Sequence, residues 1–321
     1  MIDVAQVDEI ESRIVTFDEA QEVLACLPHE HPKLDIWHNW AQVQFKGQSW
    51  LAELIEIVSI CYARMAMRNG SLSKTPRPYH NERHINELLQ RLVRCTSSKH
   101  DIQLSLPGLA ILSVFAASHD LRQAEPGKGK QDDSLVGANE TASYIEVERL
   151  VNQYPESELW SPQRLMLLMT MIHASTFGTA GKRSTNFFQG NLSRRLLAQL
   201  RLDEKDEELV YLACDIDTAN VSLPLGKYVQ SAIKVYDELV SHQQAQIPPQ
   251  SFFSQAQMAY FFEQQHFHSK TARIIFQPEK SRNAKRITAI SRAVKNMDSN
   301  SSVDQVKTTF TNQAKQRSQT P

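Results

Sequence analysis

Glycine is scarce in this sequence: only 10 of its 321 residues are glycine, roughly half the average usage. Turns between strands often need glycine, whereas helices avoid it because glycine loses the most backbone entropy on folding. A long apolar run is also missing. The longest, Leu106 to Ser118, is shorter than the roughly 20 residues that a membrane-spanning helix needs. We therefore expect an all-α protein that does not enter a membrane.

Neither cysteine nor net charge indicates a special class of protein. The four cysteines are widely separated and form no Cys-x-x-Cys pair, so we interpret them as reduced thiols rather than disulfides or zinc ligands. The net charge of -1 gives no reason to expect nucleic acid or an anionic membrane as a partner. The acidic first nine residues lack the basic and apolar segments of a signal peptide, and we expect a cytoplasmic protein.

Apolar residues recur at helical spacing along most of the chain, and the pattern predicts about ten helices. Two prolines in the segment 74–78 must interrupt the series. Glycine and proline in the stretch 122–133 predict a polar loop, and the stretch 177–185 predicts a second break. The main predicted helices cover residues 49–69, 81–94, 108–120, 135–154, 162–174, 192–202, 205–221, 225–242 and 250–266.

The end of the chain differs in composition from the rest. From Ser281 onward there are eight basic residues against two acidic ones. From about Asn296 the sequence is rich in Ser, Asn, Gln, Thr and Lys, a composition typical of disorder. We therefore predict one helical domain over residues 1–280, followed over residues 281–321 by a basic helix and a disordered tail.

Tyr79-His80-Asn81-Glu82-Arg83-His84 opens a predicted helix. His80 and His84 are four residues apart, so on a helix they lie on one face and can reach one small volume. The alternative is that both are cap or surface residues.

His119-Asp120 ends the most apolar of the predicted helices. A carboxylate beside such a segment is costly unless it is paired or binds a metal. The alternative is an ordinary helix end that reaches solvent. A second His-Asp pair, His100-Asp101, lies in a polar connection, where a surface position is the expected one.

Asp215 and Asp217 lie in another apolar helix. Side chains two residues apart on a helix cannot face the same way, so we expect only one of these carboxylates to face the core. Histidines and aspartates on three helices make a plausible mixed nitrogen and oxygen metal site, which suits Fe, Mn or Zn better than Ca.

Four motifs stand in the order Tyr-His-Asn-x-x-His, His-Asp, Asn-Glu-x-Ala-x-Tyr and Asp-x-x-Asn. This order, over about residues 79–220, resembles the HD-superfamily phosphohydrolases, both cyclic-nucleotide phosphodiesterases and small bacterial enzymes. A vaguer likeness lies in the Phe-Phe-Glu-Gln sequence at residues 261–264. The resemblance implies a single HD-domain helical bundle. It also implies four metal ligands, which are His84, His119, Asp120 and Asp217.

The same resemblance implies a reaction and its catalytic residues. A metal-activated hydroxide would attack a phosphate ester, while His80 protonates the departing oxygen. Glu140 would hydrogen-bond His80 and keep it protonated. The first metal would be Fe, Mn or Zn, and Asp120 would bridge to any second ion, Mg or Mn. The implied substrate is a small phosphorylated molecule such as a nucleotide or cyclic nucleotide, and nucleic acid is not an expected partner. The alternative is a catalytically degenerate domain that binds nucleotide or protein.

The remaining histidines have less specific surroundings. His173 lies near a position that helps to bind a second metal in some HD proteins, but its apolar neighbours favour a core histidine. The pairs His29, His31 and His266, His268 occur in polar segments, and we expect them to face solvent.

Overall fold

The structure is a computed structural model, which describes residues 6–29, 31, 34–97, 104–123, 137–179, 189–242 and 245–315. These residues are almost entirely helical, as the scarcity of glycine predicts. His100-Asp101 and most of the predicted loop at 122–133 lie outside the described residues, as does much of the break at 177–185. Among the residues described, no helix combines the length and apolar character needed to cross a bilayer.

The described residues divide into two compact units, Met1–Asp217 and Thr218–Pro321. The first unit contains ten helices in its described part, more than the sequence predicts for this region because α1 to α3 are short. They are α1 (Glu9–Arg13), α2 (Phe17–Ala25), α3 (Asp35–Gln44), α4 (Leu51–Arg68), α5 (Glu82–Ser97), α6 (Leu106–Ser118), α7 (Ala138–Val151), α8 (Pro162–Ser175), α9 (Ser193–Leu197) and α10 (Glu204–Asp217).

Helices α4 and α6 form the centre of the first unit. Every residue of α6 from Gly108 to Ser118 is buried, because the helix is apolar on all sides. Ser105 caps its N-terminus by accepting a hydrogen bond from the Gly108 N–H. Helix α6 contacts α4, α5, α8 and α10, so that its C-terminus lies among other helices. The last residues of α6 are therefore held on several sides.

Two short strands, β1 (Phe177–Thr179) and β2 (Gln189–Asn191), form an antiparallel pair in the first unit. Phe177 pairs with Asn191. The Leu192 N–H donates to the carbonyls of Ala174 and Thr176, which ties β2 back to the end of α8. This ribbon is the one strand pair in the described part of the chain, and it lies where the sequence predicts a break between helices.

The second unit continues the helical architecture. It begins with a 3₁₀ turn at Ala219–Ser222. The later elements are α11 (Leu225–Ser241), α12 (Pro249–Ser251), α13 (Gln257–Ala259), α14 (Lys270–Ile275), α15 (Gln277–Lys295) and α16 (Val303–Lys315). A π-helical segment, Phe252–Ala256, connects α12 to α13, and a second one, Tyr260–Gln264, continues α13, so that the four form one helical stretch. The predicted division at residues 280 and 281 falls inside α15.

The prediction of a disordered tail is wrong for α16. Val306, Phe310 and Ala314 form a buried stripe at four-residue spacing, and the Phe310 ring lies 4.9 Å from that of Phe253. Arg286 on α15 donates to the Ala314 carbonyl at 2.8 Å. The tail is polar on average, but a helix needs only one apolar stripe in order to pack. Residues 316–321 lie outside the described part.

Candidate metal centre

His84 lies in the first turn of α5, shortly after the proline-containing segment that connects α4 to α5. The side-chain oxygen of Asn81 accepts a hydrogen bond from the Arg83 N–H at 3.0 Å, which starts the helix. From this position the His84 side chain points into the unit and is 2% exposed. The predicted helix at residues 81–94 is confirmed, and it carries His84 inward.

His119 and Asp120 follow the last turn of α6. The His119 N–H donates to the Phe115 carbonyl, and the two rings stack with centroids 4.8 Å apart. Phe115 thus sets the plane of the imidazole. Asp120 is half-buried, and the alternative of an ordinary solvent-reaching helix end does not describe His119, which is buried.

Asp217 is the last residue of α10 and is partly exposed, while Asp215 is fully buried. Arg91, on α5, donates to the carbonyls of Ile216 and Asp217 at 2.7 and 2.8 Å. A guanidinium at the C-terminus of a helix satisfies carbonyls that have no partner within the helix. Arg91 therefore ties the end of α10 to the helix that carries His84. Sequence reasoning missed this residue, although a cation two turns after His84 was visible.

The three helix ends bring four side chains together. His84 Nε2 lies 3.2 Å from Asp217 Oδ1 and 3.6 Å from Asp120 Oδ2. His119 Nε2 lies 3.0 Å from Asp120 Oδ2 and 3.7 Å from Asp217 Oδ1. Ligand atoms of His84, His119 and Asp120 all lie within 4.8 Å of one another, which defines a group that could hold a metal ion. Asp217, rather than Asp215, is the carboxylate beside both histidines.

Several imidazole nitrogens of this cluster lack a hydrogen-bond partner in the protein, which is consistent with a metal site. Neither nitrogen of His119 has a hydrogen-bond partner among the described residues, and Nδ1 of His84 has none either. Buried polar atoms without partners cost roughly 1–3 kcal/mol each, so native structures rarely keep them unless an ion or water satisfies them. His119 Nε2 approaches Asp120 without the angles of a hydrogen bond. A cation between the imidazole and carboxylate groups would satisfy His119 Nε2, and these donors suit Zn, Fe or Mn.

The electrostatics of the cluster follow from its opposite charges. Burial alone would raise the pKa of Asp120 and Asp217, but the adjacent imidazoles of His119 and His84 hold both well below their ordinary range. Burial likewise would lower the pKa of His119, but the two carboxylates outweigh it and raise that pKa well above 6.5. The cluster is therefore strongly attractive to a cation.

Gln123 and Asn139 hold the other oxygen of Asp120. The Gln123 amide donates to Asp120 Oδ1 at 2.9 Å, and the Asn139 amide reaches Gln123 Oε1 at 3.5 Å. Oδ2 of Asp120 is thereby left facing the histidines. Gln123 was not predicted as a site residue. Its position three residues after Asp120 was the only signal in the sequence.

A buried ion-pair network supports the turn that follows Asp120. Arg64, Arg68 and Arg122 surround Glu146, which is fully buried. Arg68 also donates to the Leu121 carbonyl at 2.9 Å and pairs with Asp8. The turn after the His-Asp pair is thus fixed by charged groups from the N-terminal segment, α4 and α7.

His80 lies at the rim of the cluster. Its Nε2 is 4.0 Å from Asp120 Oδ2, and its side chain is 30% exposed, whereas that of His84 is 2% exposed. The rings of His80 and His84 are 5.9 Å apart, so the structure brings both histidines of the motif to one site. A group at this place is open to a ligand arriving from solvent.

Glu140 lies in the first turn of α7, on the same side of the unit as Asp120. Burial and the neighbouring Asp120 carboxylate raise the pKa of Glu140. The carboxyl group is therefore neutral over a wider pH range than usual. Its predicted hydrogen bond to His80 stays a prediction. Asn220, the last residue of the fourth motif, lies in the second unit and bonds Ser231 and Tyr260.

The other histidines differ in their outcome. His173 is half-buried near the end of α8, and burial lowers its pKa. The expectation that His31 faces solvent is wrong, because its side chain is fully buried against Glu82 with His31 Nε2 3.0 Å from Oε1. Its polar sequence neighbours hid this, since the partner is 51 residues away. His266 is exposed as expected.

Comparisons of the chain with protein-family models, curated proteins and solved structures found no match.

Proposed function

We propose that the first unit is a metal-dependent hydrolase of phosphate esters, built as an HD-type domain. One observation carries the proposal: the buried imidazoles of His84 and His119 converge on the carboxylates of Asp120 and Asp217, and His119 Nε2 has no hydrogen-bond partner among the described residues. A divalent cation, Fe, Mn or Zn, held by these four residues would supply Lewis acidity toward a phosphoryl oxygen and lower the pKa of a water molecule.

The residues around the cluster suit the other parts of such a reaction. His80 lies 4.0 Å from Asp120 and is exposed enough to meet a leaving oxygen, so it would act as the general acid. Glu140, whose pKa is raised by burial, would hydrogen-bond His80 and help to keep it protonated. A second ion such as Mg or Mn would also be held by Asp120. The resemblance of the motifs to HD phosphohydrolases implies a nucleotide or a cyclic nucleotide as the substrate.

The rival is a degenerate domain that binds nucleotide or a partner protein without turnover. The presence of His80 at the open rim favours turnover, because a binding module has no need of a proton donor beside its metal. The experiment that separates the two is a screen of metal-loaded protein against cyclic nucleotides, linear nucleotides and bis(4-nitrophenyl) phosphate. Binding without phosphate ester cleavage would support the rival.

A test of the metal site needs no substrate. Elemental analysis of purified wild type should find a transition metal, and Asp217→Ala should lose most of it. Asp206→Ala, at the other end of the same helix, is the matched control and should keep its metal. Equal metal in wild type and Asp217→Ala would remove Asp217 from the site.

A further inference from the structure

Glu82 stands between the two site histidines in the sequence, yet its side chain takes no part in the metal cluster. It is fully buried, and its contacts are with His31 and Ser71 rather than with Asp120 or Asp217. Residues two apart on a helix point in nearly opposite directions, so the helix that turns His84 toward the cluster turns Glu82 away. A fully buried carboxylate is costly unless every oxygen is satisfied.

The chain forms a complete binding place for this carboxylate. The Ser71 N–H lies 3.3 and 3.2 Å from the two oxygens, and the Ser71 hydroxyl donates to Oε1. The His31 ring approaches Oε1 from the other side, with Tyr62 3.5 Å from its Nδ1. A Cβ added at Gly70 would lie 1.5 Å from Glu82 Oε2, so only glycine leaves room for the carboxylate.

These contacts join the end of α4 to the start of α5. Gly70 and Ser71 follow α4 directly, and Glu82 is the first residue of α5. The Arg77 N–H also returns to the Asn69 carbonyl at 2.7 Å. The two ends of the connection that carries His80 are therefore linked to each other, and the Glu82 contacts are the main link. A carboxylate in the first turn is also favoured by the helix dipole of α5.

We propose that Glu82, held by Ser71 and His31, is a positioning residue that fixes His80 relative to the metal ligands. His84 lies within α5 and also pairs with Asp217, whereas His80 lies outside the helix, in the connection, two residues before Glu82. Loss of the Glu82 contacts should therefore displace His80 more than His84. The catalytic part of this inference rests on the proposed function, whereas the structural link made by Glu82 rests on geometry alone.

The test compares Glu82→Gln with wild type and with Glu22→Gln, a matched change at an exposed glutamate of α2. Three quantities are measured: zinc affinity, amide hydrogen exchange at residues 79–84, and hydrolysis of two phosphodiesters. Bis(4-nitrophenyl) phosphate has a good leaving group, and diphenyl phosphate has a poorer one that needs protonation. We expect Glu82→Gln to keep zinc, to exchange faster at 79–84, and to lose up to about 100-fold in kcat on diphenyl phosphate.

The loss on bis(4-nitrophenyl) phosphate should be several-fold smaller, a difference that general loosening of the fold would not produce. An equal loss on both substrates, a loss of zinc, or no change in exchange would overturn the proposal. Should Glu82→Gln not fold, Ser71→Ala, which removes one donor, is judged by the same criteria. If wild type cleaves neither ester, the proposed function fails. Amide hydrogen exchange then tests the structural link alone. Faster exchange confined to residues 79–84 supports the link, and uniform or unchanged exchange overturns it.

Discussion

The side-chain amide of Gln123 donates a hydrogen bond to Oδ1 of Asp120 at 2.9 Å, and this directs the second oxygen of the carboxylate toward His84 and His119. The orientation of a carboxylate ligand matters as much as its presence, because a metal needs the lone pair at a set angle. Gln123 is therefore the residue beside the cluster whose replacement separates orientation from charge.

Replacement of Gln123 by leucine should weaken zinc binding by about 10- to 100-fold without unfolding the protein, because Asp120 keeps its charge but loses its fixed direction. Competition with a chromophoric chelator measures the affinity. Gln199→Leu, at an exposed site on the same unit, is the control and should bind as wild type. An unchanged affinity in Gln123→Leu would show that the histidines alone orient Asp120.

Zinc affinity should rise with pH beyond the ordinary range of histidine titration. In the metal-free protein Asp120 and Asp217 raise the pKa of His119 well above 6.5, so a proton occupies the ring over a wider range. The metal must displace that proton, and proton competition ends only above the raised pKa. Chelator competition at a series of pH values measures this. Affinity that levels off near the ordinary histidine pKa would contradict the raised value.

The raised pKa of His119 also predicts how the stability of the metal-free protein changes with pH. Since the folded-state pKa of His119 is raised, its contribution to stability is complete below the unfolded pKa and is lost as pH rises through the folded one. The lowered pKa values of Asp120 and Asp217 act oppositely, and their contribution is lost as pH falls through them. Chemical denaturation of the metal-free protein should show that its free energy of unfolding falls both at acidic and at alkaline pH. His119→Asn should lose the decline on the alkaline side.

His80→Asn and His84→Asn should fail differently. His84→Asn removes a ligand and should lose metal and activity together. His80→Asn should keep the metal and lose roughly 100- to 10,000-fold in turnover, the usual worth of a general acid. A nitrophenyl ester should partly rescue His80→Asn but not His84→Asn. Loss of metal from both variants would place His80 in the coordination shell.

Phe310→Ala should destabilise the second unit by about 3–5 kcal/mol, because a fully buried ring on α16 would leave a cavity. Truncation after Asn296 should act at least as strongly, since it removes the whole buried stripe. Urea denaturation of the full chain gives the free energy of unfolding. Val303→Ala, at an exposed position of the same helix, should change it little. A truncated chain as stable as wild type would restore the tail to disorder.

The local pattern was enough to predict the central helices. Helices α4, α5, α6, α8 and α11 lie close to their predicted ranges, because apolar spacing, prolines and caps act within a few residues. The same reasoning identified His84, His119 and Asp217 as candidates and left the choice between Asp215 and Asp217 to a resemblance. That choice is one of direction, which depends on how α10 lies against α5 and α6.

Contacts between distant residues account for what the sequence could not determine. The burial of His31 depends on Glu82, the orientation of Asp120 on Gln123, and the order of α16 on Phe253. Each involves a partner that local spacing does not specify, since composition averages over neighbours in the chain and not over neighbours in space. The sequence by itself determined most of the central helices and which side chains have metal-binding chemistry. Only the tertiary structure decided which of those side chains meet, because burial and hydrogen bonding are properties of the packed helices.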